Sequence, residues 1–280
     1  MNEIKLNNGI LMPQVGIGTF LLSPEEAYES VREALKDGYH LIDTANIYGN
    51  VVSVGRAIKD SGMKREDVFV STKIWPSEYL DEDIVDKTLK RMNLEYIDLL
   101  FLHQPCRNWQ KGYKTLVKAY KEGKIRSIGV SNFEGEFIDE VLKNEDVLPQ
   151  VMQVECHPSY SQKELRKILS KEDIRLMSWY PLGGKGNNSI LKNEMLQDMA
   201  DRYHKSVAQI ILRWHVQMGF VVIPGSKDKE HIKDNIMLDD FILEDKDMEC
   251  ISSLDHGKRF YIRDEEALNR YGMISPKYED

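Results

Sequence analysis

The sequence predicts an α/β protein of the (β/α)8 class, a TIM barrel carrying an N-terminal β-hairpin and extra C-terminal helical segments. Eight apolar, β-rich runs recur along the chain, nearly all separated by one amphipathic stretch of helical spacing. Buried strands alternating with helices read as a parallel sheet, and eight is the number that closes such a barrel. The rival open, doubly wound sheet would want G-x-G-x-x-G after its first strand. "GIGTFL" lacks the third glycine, and no G-x-x-x-x-G-K occurs anywhere.

In chain order, "IKLNNGILMPQV" places two short runs around Asn-Gly, a hairpin signal. The eight runs follow: "VGIGTF", "HLIDTA", "VFVSTK", "IDLLFLH", "IRSIGVSN", "VMQVEC", "IRLMSW" and "FVVIPGS". Helix starts are marked between them. "SPEE" offers Ser23 as N-cap, Pro24 at the first helical position and Glu26 three residues after the cap. "SQKE" at Ser161 and "SVAQ" at Ser206 repeat the capping box. The last interval, before the eighth run, is long enough for two helical segments. No Pro/Ser-rich linker or low-complexity tract interrupts the 280 residues, so residues 1–280 are expected to form one domain.

Composition narrows the partners. Hydrophobic content of 41% and charged content of 30% describe a soluble protein, and a net charge of -8 argues against nucleic acid or an anionic membrane. "MNEIKLNNGI" lacks the apolar core of a signal peptide, and "FVVIP" is far too short to span a bilayer. Three cysteines, Cys106, Cys156 and Cys250, without C-x-x-C fit a reducing cytoplasm and no disulfide framework. A cytoplasmic monomer acting on a small molecule is expected.

In a barrel, function gathers at the C-terminal ends of the strands. The second run ends at Asp43 with Tyr48 just beyond, the third at Lys73 and the fourth at His103. Alone, each has an ordinary explanation: a loop cap, a snorkelling lysine, a core histidine. Together, on neighbouring tips of one rim, they make a coherent set. A phenol with a reference pKa of about 10 gives up its proton more readily beside a cation. Lys73 is that cation, and Asp43 would offset the cost of burying it. His103 would donate to a substrate oxygen. A tuned phenol that protonates an oxygen is what carbonyl reduction needs once a hydride donor faces the carbon.

The chain resembles the aldo-keto reductase family from about Lys5 to Leu254, with the motifs in the family's order. "HLIDTANIYGNVVSVGRAI" is similar to the first family signature, "GKIRSIGVSNF", "QVECHPSY" and "IPGSKDKEHIKDN" to later ones, and "KLNNGILMPQVGIGTF" to the opening hairpin and strand. The resemblance implies a (β/α)8 barrel that binds NADP(H) extended, without a Rossmann fold, and a tetrad on Asp43, Tyr48, Lys73 and His103. It places Ser131, Asn132 and Gln153 at the nicotinamide carboxamide, Trp179 against the nicotinamide ring, and Gly18, Thr19 and Leu182 along the cofactor. Ser226, Lys227, His231, Asp234 and Asn235 fall at the adenosine and 2'-phosphate end. Departures from the common pattern are Val51, Gln104, Met152 and Tyr180, none within the tetrad.

NADPH is the cofactor the resemblance implies, but the cations that commonly grip its 2'-phosphate are absent: Gly225 and His231 stand at those places. Lys227 and His231 are the available substitutes, Lys227 equally readable as a solvated surface residue, with Ser226 as N-cap of a helix whose N-terminus would attract phosphate; Asp228 and Glu230 are near enough in sequence to read a free 2'-hydroxyl instead. NADPH is therefore expected to be favoured over NADH by a reduced margin. Phe20 and Trp75 match pocket-lining aromatics; Trp109, Phe260 and Tyr261 are weaker candidates, for which a surface or packing role is an equal expectation. Short loops after His103 and at "PLGGKGNNS" predict an open site for small and aromatic aldehydes, dicarbonyls and some keto-sugars. Three rivals stand beside this reading. "HQPC" and "CHP" could hint at a metal hydrolase, but neither has zinc-ligand spacing. Cys106 near His103 could be a nucleophile, or a small apolar filler. A non-catalytic nucleotide-binding sensor on the same fold is the third.

Overall fold

The computed structural model describes residues 3–183 and 189–279. Strands β1 (Glu3–Lys5) and β2 (Leu11–Pro13) form the antiparallel hairpin, turned at Gly9 with φ +90°, a conformation that suits glycine. Eight parallel strands follow: β3 (Gly16–Gly18), β4 (Leu41–Asp43), β5 (Phe69–Ile74), β6 (Leu99–Leu102), β7 (Ile128–Ser131), β8 (Val151–Glu155), β9 (Arg175–Trp179) and β10 (Val221–Val222). Each pairs with its neighbour in sequence order, and a parallel bridge from Val15 to Val222 closes the ring. All eight predicted runs are therefore strands of one barrel.

The helices are α1 (Pro24–Lys36), α2 (Val51–Asp60), α3 (Ile84–Met92), α4 (Trp109–Lys121), α5 (Glu136–Asn144), α6 (Lys163–Lys171), α7 (Glu194–Tyr203), α8 (Val207–Gln217), α9 (Lys229–Ile236), α10 (Asp245–Ser253) and α11 (Glu265–Met273). The long interval before β10 does hold two, α7 and α8. The capping boxes at Ser23 and Ser206 are both formed. The one at Ser161 is not. Gln162, in the left-handed region, precedes α6 and no side chain caps it, because Asp255 takes both the Ser161 hydroxyl (2.5 Å) and its N–H (3.2 Å). Among the described residues no helix is long and apolar enough to cross a membrane.

The core has two shells. Inside the barrel, Leu41, Phe69, Leu99, Phe101, Val151, Met177 and Val221 meet, with Leu6 and Met12 of the hairpin segment plugging that cluster. Outside it, strand residues of the opposite parity, such as Ile42, Val70, Leu100 and Met152, pack against the helices. This alternation, period two along every strand, decides which side chains reach the barrel mouth.

Candidate active site

On β5, Phe69 faces the interior while Val70 and Ile74 face helices, so Ser71 and Lys73 fall on the inner side. Leu41 is inside on β4, which brings Asp43 inside; Leu99 and Phe101 on β6 do the same for His103. Val151 and Met177 place Gln153 and Trp179 likewise. Strand register then sets them side by side: Gly18 beside Asp43, Asp43 beside Ser71, and Ser131 beside Gln153.

Asp43 does hold Lys73. The ammonium is wholly buried, lies 2.6 Å from Asp43 Oδ2 and donates to the Thr44 carbonyl at 2.8 Å. The other carboxylate oxygen accepts from Ser71 Oγ and from Gln153 Nε2 (3.1 Å). Burial lowers the Lys73 pKa, and the Asp43 charge opposes that shift. Tyr48 closes a short 3-10 turn, Asn46–Tyr48, that leaves Lys73 Nζ 5.2 Å from its ring centroid. The expectation that Lys73 and Asp43 lower the Tyr48 pKa is corrected here. Burial pushes the phenol well above its ordinary value of 10.0, and the nearby Asp43 and Tyr180 act in the same direction. Two of the three Lys73 N–H donors are directed at Asp43 and Thr44. His103 packs edge-on to Tyr48 (5.7 Å) and Trp75 (4.9 Å). Burial and then the Lys73 charge hold its pKa well below 6.5, so the ring is neutral, and its buried Nδ1 has no hydrogen-bond partner.

Next to this cluster, Asn132 adopts φ +64°, a left-handed conformation that asparagine tolerates. Its amide donates to Ser131 Oγ (3.1 Å) and the His103 carbonyl (3.3 Å) and accepts from Trp179 Nε1 (3.1 Å). Ser131, Asn132 and Trp179 are thus one linked set beside the tetrad. Gln153, matched to the carboxamide by resemblance, is engaged with Asp43 and Met177. Thr19 is fixed by its N–H (3.0 Å) and hydroxyl (3.2 Å) on the Asp43 carbonyl. Asn50, fully buried, holds the carbonyls of Thr19 (2.9 Å) and Leu22 (3.0 Å) and accepts from the Thr44 hydroxyl (3.0 Å), tying the loops after β3 and β4 together. Leu182 is half-buried against the helical shell. Gly18 and Gly225 meet so closely that a Cβ on Gly225 would lie 3.0 Å from the Gly18 carbonyl oxygen. Hydroxyl, two amides and an indole face at one rim match the donors and acceptors of a carboxamide on a flat ring.

The far end of that groove departs from expectation. Ser226 is not the N-cap of α9; Asp228 is, its Oδ1 accepting from the N–H groups of Glu230 (2.9 Å) and His231 (3.1 Å). Ser226 Oγ instead accepts from the Asp228 N–H at 3.1 Å, a local turn that shifts the helix start two residues on. Lys227 is exposed but paired with Glu26 of α1 at 2.7 Å. His231 and Asp234 are exposed and Asn235 is buried.

At the mouth, Phe20 is half-exposed and leans on Tyr48 (5.0 Å) and Tyr180 (6.4 Å). Trp75 is buried against His103 and Tyr271 (5.3 Å). Trp109 is a correction. As the first residue of α4 it points into the helical shell, buried edge-on to Phe133 at 5.3 Å, on the apolar face of an amphipathic helix.

Sequence reasoning missed Ser71, Thr44, Asn50 and most of the tail. Ser71 was readable, sharing the inner parity of Lys73 in "FVSTK". The tail was not. Tyr271 touches Trp75, its hydroxyl meets that of Tyr261, and Tyr261 lies edge-on to Trp179 at 5.6 Å. Trp75 follows β5 and Trp179 ends β9, four strands round, so the two tyrosines cross the mouth from side to side. Glu155 anchors the crossing by accepting from the N–H groups of Phe260 (2.6 Å) and Tyr261 (3.1 Å), and Arg263 donates to the Asn132 carbonyl. Short loops imply an open site; the tail bridges it instead. Residues 184–188 of "PLGGKGNNS" lie outside the described residues.

The cysteine rival finds little footing. Cys106 is buried, its thiol pushed up to about 12 by burial and donating to the Leu268 carbonyl (3.3 Å). Among the described residues, no three His, Cys, Asp or Glu side chains are grouped to hold a metal.

Known proteins match most of this chain. The profile of the Aldo/keto reductase family matches residues 14–256. A glyoxal reductase from Bacillus subtilis (strain 168) is 42% identical over 272 residues, covering 95% of this chain and 98% of that protein. The methylglyoxal reductase DkgA of Escherichia coli (strain K12) is 38% identical over 263 residues, covering 91% and 94%. The crystal structure of MGS-M4, an aldo-keto reductase enzyme from a Medee basin deep-sea metagenome library, superposes with a TM-score of 0.90 at 38% identity, covering 93% of this chain and 97% of that one. By profile, relatives and fold alike, this chain belongs to the aldo/keto reductase family, whose members are oxidoreductases acting on carbonyl and alcohol groups.

Proposed function

We propose that the protein reduces small aldehydes, dicarbonyls and some ketones to alcohols with NADPH, with Tyr48 delivering the proton. The observation that carries this reading is the buried cluster in which Asp43 fixes Lys73 beneath Tyr48 while neutral His103 packs against the same ring. The bound cofactor would supply the hydride. The chain supplies the rest. Tyr48, its pKa raised by burial, stays protonated at neutral pH, which is the form a general acid needs. As negative charge grows on the carbonyl oxygen, that proton has a strong base to go to. His103, neutral, orients the carbonyl through a ring N–H.

Ser131, Asn132 and Gln153 would hold the carboxamide, Gln153 giving up its bond to Met177, and Trp179 would take the ring. Phe20 and Trp75 give the substrate apolar walls. The relatives named for glyoxal and methylglyoxal support small dicarbonyls as the first substrates to try. The test is oxidation of NADPH, followed by its absorbance, with glyoxal, methylglyoxal and aromatic aldehydes. Turnover that disappears in Tyr48→Phe supports the assignment. Tight NADPH binding with no turnover on any of them would favour a sensor on this fold.

A further inference from the structure

The seam where the barrel closes, between β3 and β10, carries at its rim two carboxylates that the proposed chemistry does not use. Glu26 stands at the third position of α1. One oxygen closes the capping box on the Ser23 N–H (3.0 Å), and the other holds Lys227 Nζ at 2.7 Å. Asp228, next in the chain, covers the first turn of α9 by accepting from Glu230 and His231 N–H. A second pair, Lys229 with Glu33 at 3.2 Å, ties α9 to α1 beside them. The nearest cation and the Glu230 and His231 N–H groups are what a phosphate group would seek, and a carboxylate of the chain already holds each of them.

We infer that Glu26 and Asp228 are internal stand-ins for the 2'-phosphate and set how strongly the protein favours NADPH over NADH. The inference rests on the reading that the adenosine end of the cofactor lies along residues 226–235. A 2'-phosphate arriving there must draw Lys227 off Glu26 and share the start of α9 with the Asp228 charge. Both demands weaken NADPH binding and neither touches NADH. A 2'-hydroxyl, by contrast, finds in Asp228 an acceptor, the usual role of an acidic residue at a ribose. Glu26, on a different helix and 201 residues away in sequence from its partner, thereby becomes a specificity residue without contacting the cofactor.

Glu26→Gln keeps the capping box, since an amide oxygen also accepts from Ser23, but frees Lys227. Asp228→Asn keeps an N-cap and removes the charge. Equilibrium binding of NADPH and NADH to the full chain, read by quenching of tryptophan fluorescence, separates the possibilities. Glu26→Gln is expected to tighten NADPH about 2- to 5-fold, the scale of an exposed ion pair, and to leave NADH unchanged. Asp228→Asn should tighten NADPH and weaken NADH. In a Lys227→Ala background, Glu26→Gln should have no effect on either. If Lys227→Ala weakens NADPH selectively but the two carboxylate variants leave the NADPH-to-NADH ratio as in wild type, the stand-in inference is overturned and the cofactor reading stands. If Lys227→Ala weakens both cofactors equally, the 2'-phosphate is not read here and both fail.

Discussion

Lys73 meets Asp43 at 2.6 Å and Lys227 meets Glu26 at 2.7 Å, so by distance the two ion pairs are alike. Their surroundings differ. The side chains of the first pair are 0% and 2% exposed, those of the second 68% and 36%. Inside the barrel the remaining oxygen of Asp43 is met by Ser71 and Gln153, and a second proton of Lys73 by the Thr44 carbonyl. The geometry is over-determined, as a site that must hold a charge under a phenol requires. At the rim, water and salt compete for both partners, so the pair can be exchanged for another anion at little cost. One pair is held from several sides; the other is open to exchange.

The largest break in this contrast is at Tyr48. Tyr48→Phe removes the acid and leaves the Asp43–Lys73 pair beneath it untouched. The turnover number should fall by about 10²–10⁴-fold, with cofactor affinity close to wild type. A variant with wild-type turnover would remove Tyr48 from the mechanism. By comparison, Glu26→Gln at the rim should leave the rate at saturating cofactor and substrate unchanged.

Stability separates the pairs next. Lys73→Met strands Asp43 as an uncompensated buried charge, and unfolding in denaturant should show a loss of about 3–5 kcal/mol. Pairing it with Asp43→Asn should recover much of that loss. Equal losses in the single and double variants would mean that packing, rather than the stranded charge, is what Lys73 contributes. Glu26→Gln, capping box intact, should unfold with the wild type.

The same contrast explains what could be read from the sequence. Strand parity and eight repeated runs made the barrel legible, and with it the inward set Asp43, Lys73 and His103, because a buried site is built by the same periodicity that builds the core. The rim is not built that way. Whether Ser226 or Asp228 starts α9 depends on a two-residue turn that both residues favour. Glu26 carries two signals at once, and only its capping role is local. The Tyr261–Tyr271 crossing and its anchor on Glu155 join positions 105 and 106 residues apart through backbone N–H groups, which leave no mark on residue choice.

pH probes the interior alone. His103 is held well below 6.5 by burial and then by Lys73. His215, bonded to the Ile211 and Cys156 carbonyls, is lowered to about 4 mainly by burial. Both are neutral when folded near neutral pH, whereas the unfolded chain takes up protons as pH falls through about 6.5. Stability is therefore present in full above that value and declines below it, by up to about 1.4 kcal/mol per pH unit for each histidine. The rim pair takes no part, since Glu26 is lowered from 4.5 and Lys227 raised from 10.5. Melting temperatures followed from pH 7.5 to 5.5 should fall less steeply in His103→Gln than in wild type. Identical slopes would show that His103 takes up its proton alike in the folded and the unfolded chain.

Salt probes the rim alone, and is the smallest and most discriminating of these effects. A buried pair is shielded little by ions, so the unfolding cost of Lys73→Met should be the same in low and high salt. At the rim, raising ionic strength from about 0.05 to about 0.5 M shortens the Debye length from roughly 14 to roughly 4 Å. That weakens the hold of Lys227 on a 2'-phosphate, so NADPH affinity should fall while NADH affinity barely moves. It also weakens the hold of Glu26 on Lys227, which works the other way. In wild type the two partly cancel and the NADPH dependence should be shallow. Glu26→Gln removes the internal competitor and leaves only the phosphate contact to be screened. Its NADPH dissociation constant should therefore start lower and rise more steeply with salt, approaching the wild-type value at the high end. Parallel salt curves for the two proteins would mean that Glu26 does not compete for Lys227, whatever the distance between them.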